Sequence, residues 1–270
     1  MNTKIKVAGR IYIAILFVIL YAPIFVMIFF SFNASNSMSE FSGFSLRWYN
    51  ELFHSKEAGQ ALLNSIILAV TSSVIATVFG TAAALGIHSM RSKRLKTIVM
   101  NVTNLPMMNP DIVTGVSMML LFAFVAGFLS NVHIFGFWTL LIAHVTFNIP
   151  YVILNIMPKL KQMDKSLPEA AMDLGCTPLQ AFTKVEFFEI LPGIASGLLM
   201  AFTLSLDDFV ISYFVTGESF QTLPVFIYSM TKKRVVPYIN ALFAIIFFVI
   251  FALLLIRNFM SKENKAAVKK

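Results

Sequence analysis

Apolar residues run along this chain in blocks too long for the strands or amphipathic helices of a water-soluble core. Uncharged or nearly uncharged stretches occupy roughly 11–31, 62–90, 97–127, 136–157, 192–216 and 236–256. Each reaches the ~20 residues that an α-helix needs to cross a bilayer. The pattern therefore predicts an all-α integral membrane protein of six transmembrane helices. The first stretch follows Lys4, Lys6 and Arg10 as a secretory leader would. It is long and no A-x-A cleavage site comes after it, so it reads as a retained helix.

Composition agrees with the pattern. Of 270 residues 58% are hydrophobic and 13% charged, with 28 Phe; soluble domains average about 25% charged. The net charge of +8 raises the question of nucleic acid, which the placement of the basic residues excludes. They cluster at the ends of apolar runs and face lipid headgroups. Lys4, Lys6 and Arg10, then Arg91, Lys93, Arg94 and Lys96, mark cytoplasmic segments by the positive-inside rule. Lys262, Lys265, Lys269 and Lys270 put the C-terminal tail on the same side. Lys232, Lys233 and Arg234, in the loop between spans five and six, are the exception and would lie outside. Cys176 is the single cysteine, which rules out an internal disulfide and a cysteine metal cluster.

Small residues recur at helical spacing: Ala76, Gly80 and Ala84 in span two, Gly193 and Gly197 in span five. In lipid such positions let backbones approach closely, and bundle packing explains them. Pro106 and Pro110 interrupt span three beside Asp111. A break at membrane depth is tolerated where backbone lines a cavity or is buried in protein, so span three is expected to border a pathway. Asp207 and Asp208 stand side by side within span five, where an ionised carboxylate costs at least ~2.5–3.5 kcal/mol. Two readings stay open there: a pairing with a neighbouring helix, or a pathway lining that attracts a cation. Tyr213 and Phe214 follow and offer cation–π and apolar contacts to an amine. In the first outside loop, 41–53 reads as a short amphipathic helix at the interface, with Arg47 and Glu51 on its polar side.

The longest inside loop, about 158–191, reads as two short helices. Ser166 with Glu169 three positions on fits a capping box, Gly175 fits a helix stop, and Thr177-Pro178 fits a restart. Ala170 and Ala171 would offer a small smooth face to a groove on another protein; a well-capped connector is the plainer reading. No G-x-x-x-x-G-K-[ST] phosphate loop occurs, so the chain does not hydrolyse ATP by that route. His88, His133 and His144 belong to no zinc or serine-elbow pattern and read as interfacial or packing residues, which argues against an intramembrane enzyme. A proton-coupled secondary transporter, relaying through Asp111, Asp207 and Asp208, would ordinarily show an internal repeat, and none is evident.

Glu169-Ala170-Ala171, three residues, then Gly175 resembles the EAA motif of ABC importer permeases. The family's I-x-L-P continuation is replaced by Val185, Glu186, Phe187 and Phe188, with a proline only at Pro192. The stretches GFSLRWYNELF, MNPDIVTGVSMMLLF, GFWTLLIAHVTFNIPYV, SLDDFVISYFVTG and LPVFIYSM are similar to the second permease subunit of spermidine/putrescine ABC importers. That resemblance implies a type I importer permease, one transmembrane domain over 1–270, with both termini cytoplasmic in the inner membrane of a bacterium. It implies a heterodimer with a homologous permease, two ATPase subunits that carry ATP and Mg, and an extracytoplasmic polyamine-binding protein. No cofactor is then expected in this chain. Glu169, Ala170, Ala171 and Gly175 would couple to the ATPase, and Asp111, Asp207, Asp208, Tyr213 and Phe214 would line the substrate pathway. Permeases of this kind also serve other solutes.

Overall fold

The computed structural model describes residues 3–36, 40–128, 134–164, 166–217, 220–233, 238–248 and 251. Among them every regular element is helical, apart from one isolated bridge between Asn33 and Phe44. The chain divides into two compact units, Met1–Gly59 with Ile227–Lys270, and Gln60–Phe226.

In the first unit, α1 (Thr3–Phe30) buries none of its apolar window against the rest of the chain. Its surface needs lipid or another subunit to cover it. The expected amphipathic helix is α2 (Arg47–His54), whose inner face is Trp48 and Leu52. Trp48 is buried and donates its indole N–H to the carbonyl of Asn33 at 2.6 Å. Asn33 in turn binds the Glu40 carbonyl and accepts from the Ser42 amide, so one asparagine and one tryptophan hold the loop to the helix. Arg47 and Glu51 sit 4.0 Å apart on the exposed side. A second apolar helix of this unit, Tyr238–Phe248, covers part of the expected sixth crossing; its remainder, Arg234 and the lysines of the tail lie outside the described residues.

The second unit is built on α3 (Lys56–Ser89, which begins in the first unit), α4 (Lys93–Met108), α5 (Asp111–Phe128), α6 (Phe137–Gln162) and α9 (Phe187–Asp207). Among the described residues five helices are long and apolar enough to cross a membrane: Gly9–Phe30, Lys56–Ser89, Asp111–Phe128, Phe137–Gln162 and Pro178–Asp207. The run 97–127 is two helices and not one, because Pro110 removes an amide and disfavours helical backbone at Asn109, which is extended with ψ 141. Pro106, four residues earlier, stays inside α4.

The core gathers on α6, where Val152, Ile153, Ile156, Met157 and Leu160 meet Ala76, Ala84 and Ile87 of α3 and Ile190 and Ala201 of α9. The small-residue stripes serve this junction. A methyl group on Gly80 would stand 2.7 Å from Val152 Cγ1, one on Gly193 3.0 Å from the Asn155 carbonyl oxygen, and one on Gly197 3.3 Å from Val152 Cα. Both stripes therefore seat the same partner, α6. Gly193→Val should lower the melting temperature of the detergent-purified protein, since overpacking typically costs ~1–3 kcal/mol. Gly86→Ala on the open side of α3, where nothing lies within 4 Å, should leave it unchanged or raise it slightly, since Ala is favoured over Gly in a helix interior by ~0.5–1 kcal/mol. Equal melting temperatures for the two variants would contradict this packing.

Outward faces carry the reverse of a soluble surface: Val78, Leu120, Phe124 and Leu199 are each at least 60% exposed. With no hydrophobic effect between helices in lipid, those side chains are at home there, and the inner seams are left to small and polar residues.

Candidate functional site

Two regions hold the residues singled out by sequence. The first is the corner between α9 and α10 (Val210–Val215). Span five, read as continuous over 192–216, in fact breaks at Asp208, whose backbone is extended with ψ 120. The aspartate makes the break. Its carboxylate accepts the amides of Ile211 at 3.3 Å and Ser212 at 2.7 Å, capping the helix that follows. An Asp side chain competes for backbone amides in this way, and negative charge suits a helix N-terminus. His144 of α6 completes the arrangement: Nε2 lies 3.5 Å from Asp208 Oδ2 and 3.2 Å from Ser212 Oγ, with the histidine side chain 1% and the aspartate side chain 9% exposed. The energetic cost of burying this acid is offset by two amides and an imidazole. That is the helix-pairing alternative, realised for Asp208.

Asp207, one residue earlier, ends α9 and is exposed. The corner thus separates the two carboxylates, one packed inward and one open. Tyr213 is 42% exposed on α10, and Phe214 beside it rests on α5, where a methyl group at Gly115 would meet Phe214 Cδ2 at 2.9 Å. Asp111 is the first residue of α5 and is exposed; it lies one turn before Gly115 and so on the same face of the helix.

A buried polar seam extends from the corner. Asn148, one turn after His144, donates to Ser205 Oγ at 2.7 Å, and Ser205 Oγ is 2.9 Å from Ser72 Oγ, joining α3, α6 and α9. Thr139 Oγ1 donates to the Val215 carbonyl at 3.2 Å, fixing the far end of α10. Sequence reading missed His144, Asn148, Ser205 and Ser72 as a group and took His144 for a packing residue. The available signal was His144 and Asn148 at i, i+4 inside an apolar run, where polar side chains ordinarily face the bundle interior.

The second region is the inside loop, with α7 (Ser166–Asp173) and α8 (Pro178–Ala181). Ser166 begins α7, and Asp164 just before the helix accepts the Ser166 amide at 3.0 Å. That bond, with one from the Ser166 hydroxyl, holds the Asp164 carboxyl below the usual carboxylate range. Gly175 has φ +88, with its amide on the Met172 carbonyl and the Cys176 amide on that of Ala171, a Schellman stop. Thr177 and Gln180 form the reciprocal capping box of α8, with Pro178 at its first turn.

Two expectations for this loop need correction. Ala171 is buried, so the outward face of α7 carries Glu169 and Ala170, with Leu174 beyond them 86% exposed. Nor does the second helix end within the loop, because α8 passes through a π-helical turn (Phe182–Glu186) directly into α9. Phe187 and Phe188, standing where the family motif has Leu-Pro, leave no proline to interrupt it. Among the described residues no three His, Cys, Asp or Glu side chains gather to hold a metal ion.

Residues 76–264 match the family described as binding-protein-dependent transport system inner membrane component. The chain is 37% identical over 250 residues to a spermidine/putrescine transport system permease protein of Haemophilus influenzae, covering 93% of this chain and 95% of the relative. It is 39% identical over 238 residues to a putrescine transport system permease protein of Escherichia coli, covering 88% and 85%. Its fold is similar to that of a chain in the crystal structure of a bacterial ABC transporter that imports the acidic polysaccharide alginate, with TM-score 0.74, 17% identity and coverage of 96% and 95%. A chain of the MetNI methionine ABC transporter matches with TM-score 0.58 and 15% identity, over 75% of this chain and 95% of that one.

Proposed function

This chain belongs to the binding-protein-dependent transport system inner membrane components, and on that premise we propose that it is the permease subunit of an ATP-driven importer that carries a polyamine across the membrane. The observation that carries the cargo is the identity of 37–39% to putrescine and spermidine/putrescine permeases over nearly the whole chain. Fold likeness alone would not choose it, since the same fold serves an acidic polysaccharide.

The chain is a transport subunit without chemistry of its own. A homologous permease forms the other half of the pathway, two ATPase subunits supply hydrolysis, and an external binding protein delivers cargo. On this reading the chain crosses the membrane six times, with both termini and the 158–191 loop in the cytoplasm. Asp207 and Asp111, both exposed, present negative charge toward a polycation, and Tyr213 and Phe214 contact its ammonium groups and methylenes. Asp208, spent on α10 and His144, holds the corner on which Asp207 is displayed. A strain lacking polyamine synthesis and its own polyamine importers should grow on micromolar putrescine or spermidine only when this chain and its partner subunits are supplied. Growth that never depends on the chain would refute the assignment.

Coupling runs through Glu169, Ala170 and the turn at Gly175, with Ala171 anchoring α7 from beneath. A left-handed residue costs ~1–2 kcal/mol for any L side chain and more for a β-branched one. Gly175→Val therefore displaces the helix stop without a clash, because nothing lies within 4 Å of the position. The expected outcome for Gly175→Val, and for Glu169→Lys, is a protein that reaches the membrane but retains several-fold less ATPase subunit on purification. Normal ATPase recovery with normal transport in both variants would remove these residues from the docking surface.

A further inference from the structure

The start of α4 carries charge of the wrong sign for a helix start. Arg91 precedes it, Lys93, Arg94 and Lys96 follow, and the first turn holds no acidic residue. A helix N-terminus already has partial positive charge from its unpaired amides, so cations there raise a potential that an anion would neutralise. Lys96 is engaged elsewhere: its Nζ donates to the His88 carbonyl at 3.0 Å and closes the end of α3. Arg91, Lys93 and Arg94 are exposed, and no carboxylate of a described residue pairs with them. We infer that this turn, with the outward face of α4, binds an anionic phospholipid of the cytoplasmic leaflet, its phosphate on Arg91, Lys93 and Arg94 and an acyl chain along the helix.

The face that continues from the cluster points to the same ligand independently. No residue of α4 is fully buried, and Val99 and Met100 pack on the core seam from its inner side. On the outer side Leu95, Ile98, Val102 and Leu105 are each between 50% and 59% exposed. Their spacing of three and four residues makes one stripe along a helix. From Leu95 to Leu105 the stripe rises ~15 Å at 1.5 Å per residue. That is about half of a ~30 Å hydrocarbon core, the depth of one leaflet. All the charges of α4 stand at one end of the stripe, since residues 97–108 include none. A phospholipid has the same layout, an anionic head above a chain of one-leaflet length. A free phosphate would answer the cations and leave the stripe bare, and a facing apolar helix would cover the stripe and leave the cations unanswered. Ser92 caps α4 by accepting the Leu95 amide at 3.4 Å, which leaves the amides of Lys93 and Arg94 to phosphate oxygens. The planar forks of the two arginines match those oxygens two at a time.

The site shares no residue with the proposed cargo route and stands or falls apart from it. Binding of radiolabelled phosphatidylglycerol decides it, measured on the full chain with its co-expressed subunits in micelles of a neutral detergent. Saturable binding is expected at a mole fraction where phosphatidylcholine shows none, and a hundredfold excess of soluble glycerol phosphate should not displace it. Arg91→Gln with Lys93→Gln and Arg94→Gln should weaken binding at least tenfold. The same loss of three charges at Lys4, Lys6 and Arg10 should change it less than twofold. Ile98→Asn with Val102→Asn should weaken it several-fold while the sister permease is recovered in normal amount. Equal binding of the two lipids by the unsubstituted complex overturns the site, whatever the variants do. Equal losses from the two charge-removing triples, or displacement by glycerol phosphate, also overturn it. Loss of the sister permease on substitution of the stripe would do the same, by making this face a contact between permeases.

Discussion

Asp208→Ala should be among the most destabilising single substitutions in this chain, lowering the melting temperature in detergent on the order of 10 °C. The carboxylate caps α10 through the amides of Ile211 and Ser212 and faces His144 in an almost fully buried site. Removing it takes the acceptor from two amides and leaves His144 with Ser212 Oγ as its one polar neighbour at Nε2. Breaking one side of a buried polar pair typically costs ~3–5 kcal/mol, more than the pair contributes over a well-packed apolar replacement. Two further outcomes separate this explanation from a general sensitivity of the corner. Asp208→Asn, which keeps an acceptor for the amides, should lose less than Asp208→Ala. His144→Leu combined with Asp208→Ala should lose clearly less than the sum of the two single variants, since the second change removes a group that has already lost its partner across the pair. Strict additivity in that cycle would mean that the two side chains do not depend on one another.

How much of this was legible in the sequence depended on how local the cause was. The break at Pro110, the stop at Gly175, the restart at Thr177-Pro178 and a short amphipathic helix within 41–53 each follow from chemistry within a few residues, and each stood in the sequence reading. The small-residue stripes were legible as close contacts, but that both press on Val152 and its neighbours on α6 is a matter of three-dimensional packing. Asp207 and Asp208 posed the right question without its answer. Their separation depends on His144, more than sixty residues earlier, and on a cap that reads as uninterrupted span in hydropathy alone. Ala171 was read outward because a small residue carries no strong signal for either face. His144, Asn148, Ser205 and Ser72 were passed over singly, since each is an ordinary residue until the fold sets them in one seam.

The other large effect is expected at Asp207. It is exposed at the end of α9, so exchanging it for asparagine should leave the fold within the ~0.5 kcal/mol typical of surface changes. The same exchange removes one negative charge facing the proposed route of a di- or tricationic cargo. Losing ~1.4 kcal/mol of stabilisation of the passing cation already corresponds to tenfold, and at the lower effective dielectric of a protein cavity a single charge contributes at least that much. Asp207→Asn should therefore assemble, melt as the parent does and retain its ATPase, yet take up polyamine at least tenfold more slowly. Asp207→Glu, which restores the charge one methylene further out, should recover a substantial part of the rate. Unchanged uptake in Asp207→Asn would return this carboxylate to a role in packing or lipid contact, and the cation pathway would have to be sought elsewhere.

The claim on which the rest depends is that this permease conducts polyamines under ATP drive. Reconstitution of the chain with its sister permease, ATPase and binding protein in proteoliposomes tests it most directly, by measuring accumulation of radiolabelled putrescine and spermidine with ATP inside. The account requires accumulation of at least one of them that needs ATP hydrolysis, survives collapse of the proton gradient and fails when the chain carries Gly175→Val. Accumulation that ignores ATP and stops when the proton gradient is collapsed, or ATP-driven uptake of some other solute with neither polyamine carried, would contradict it.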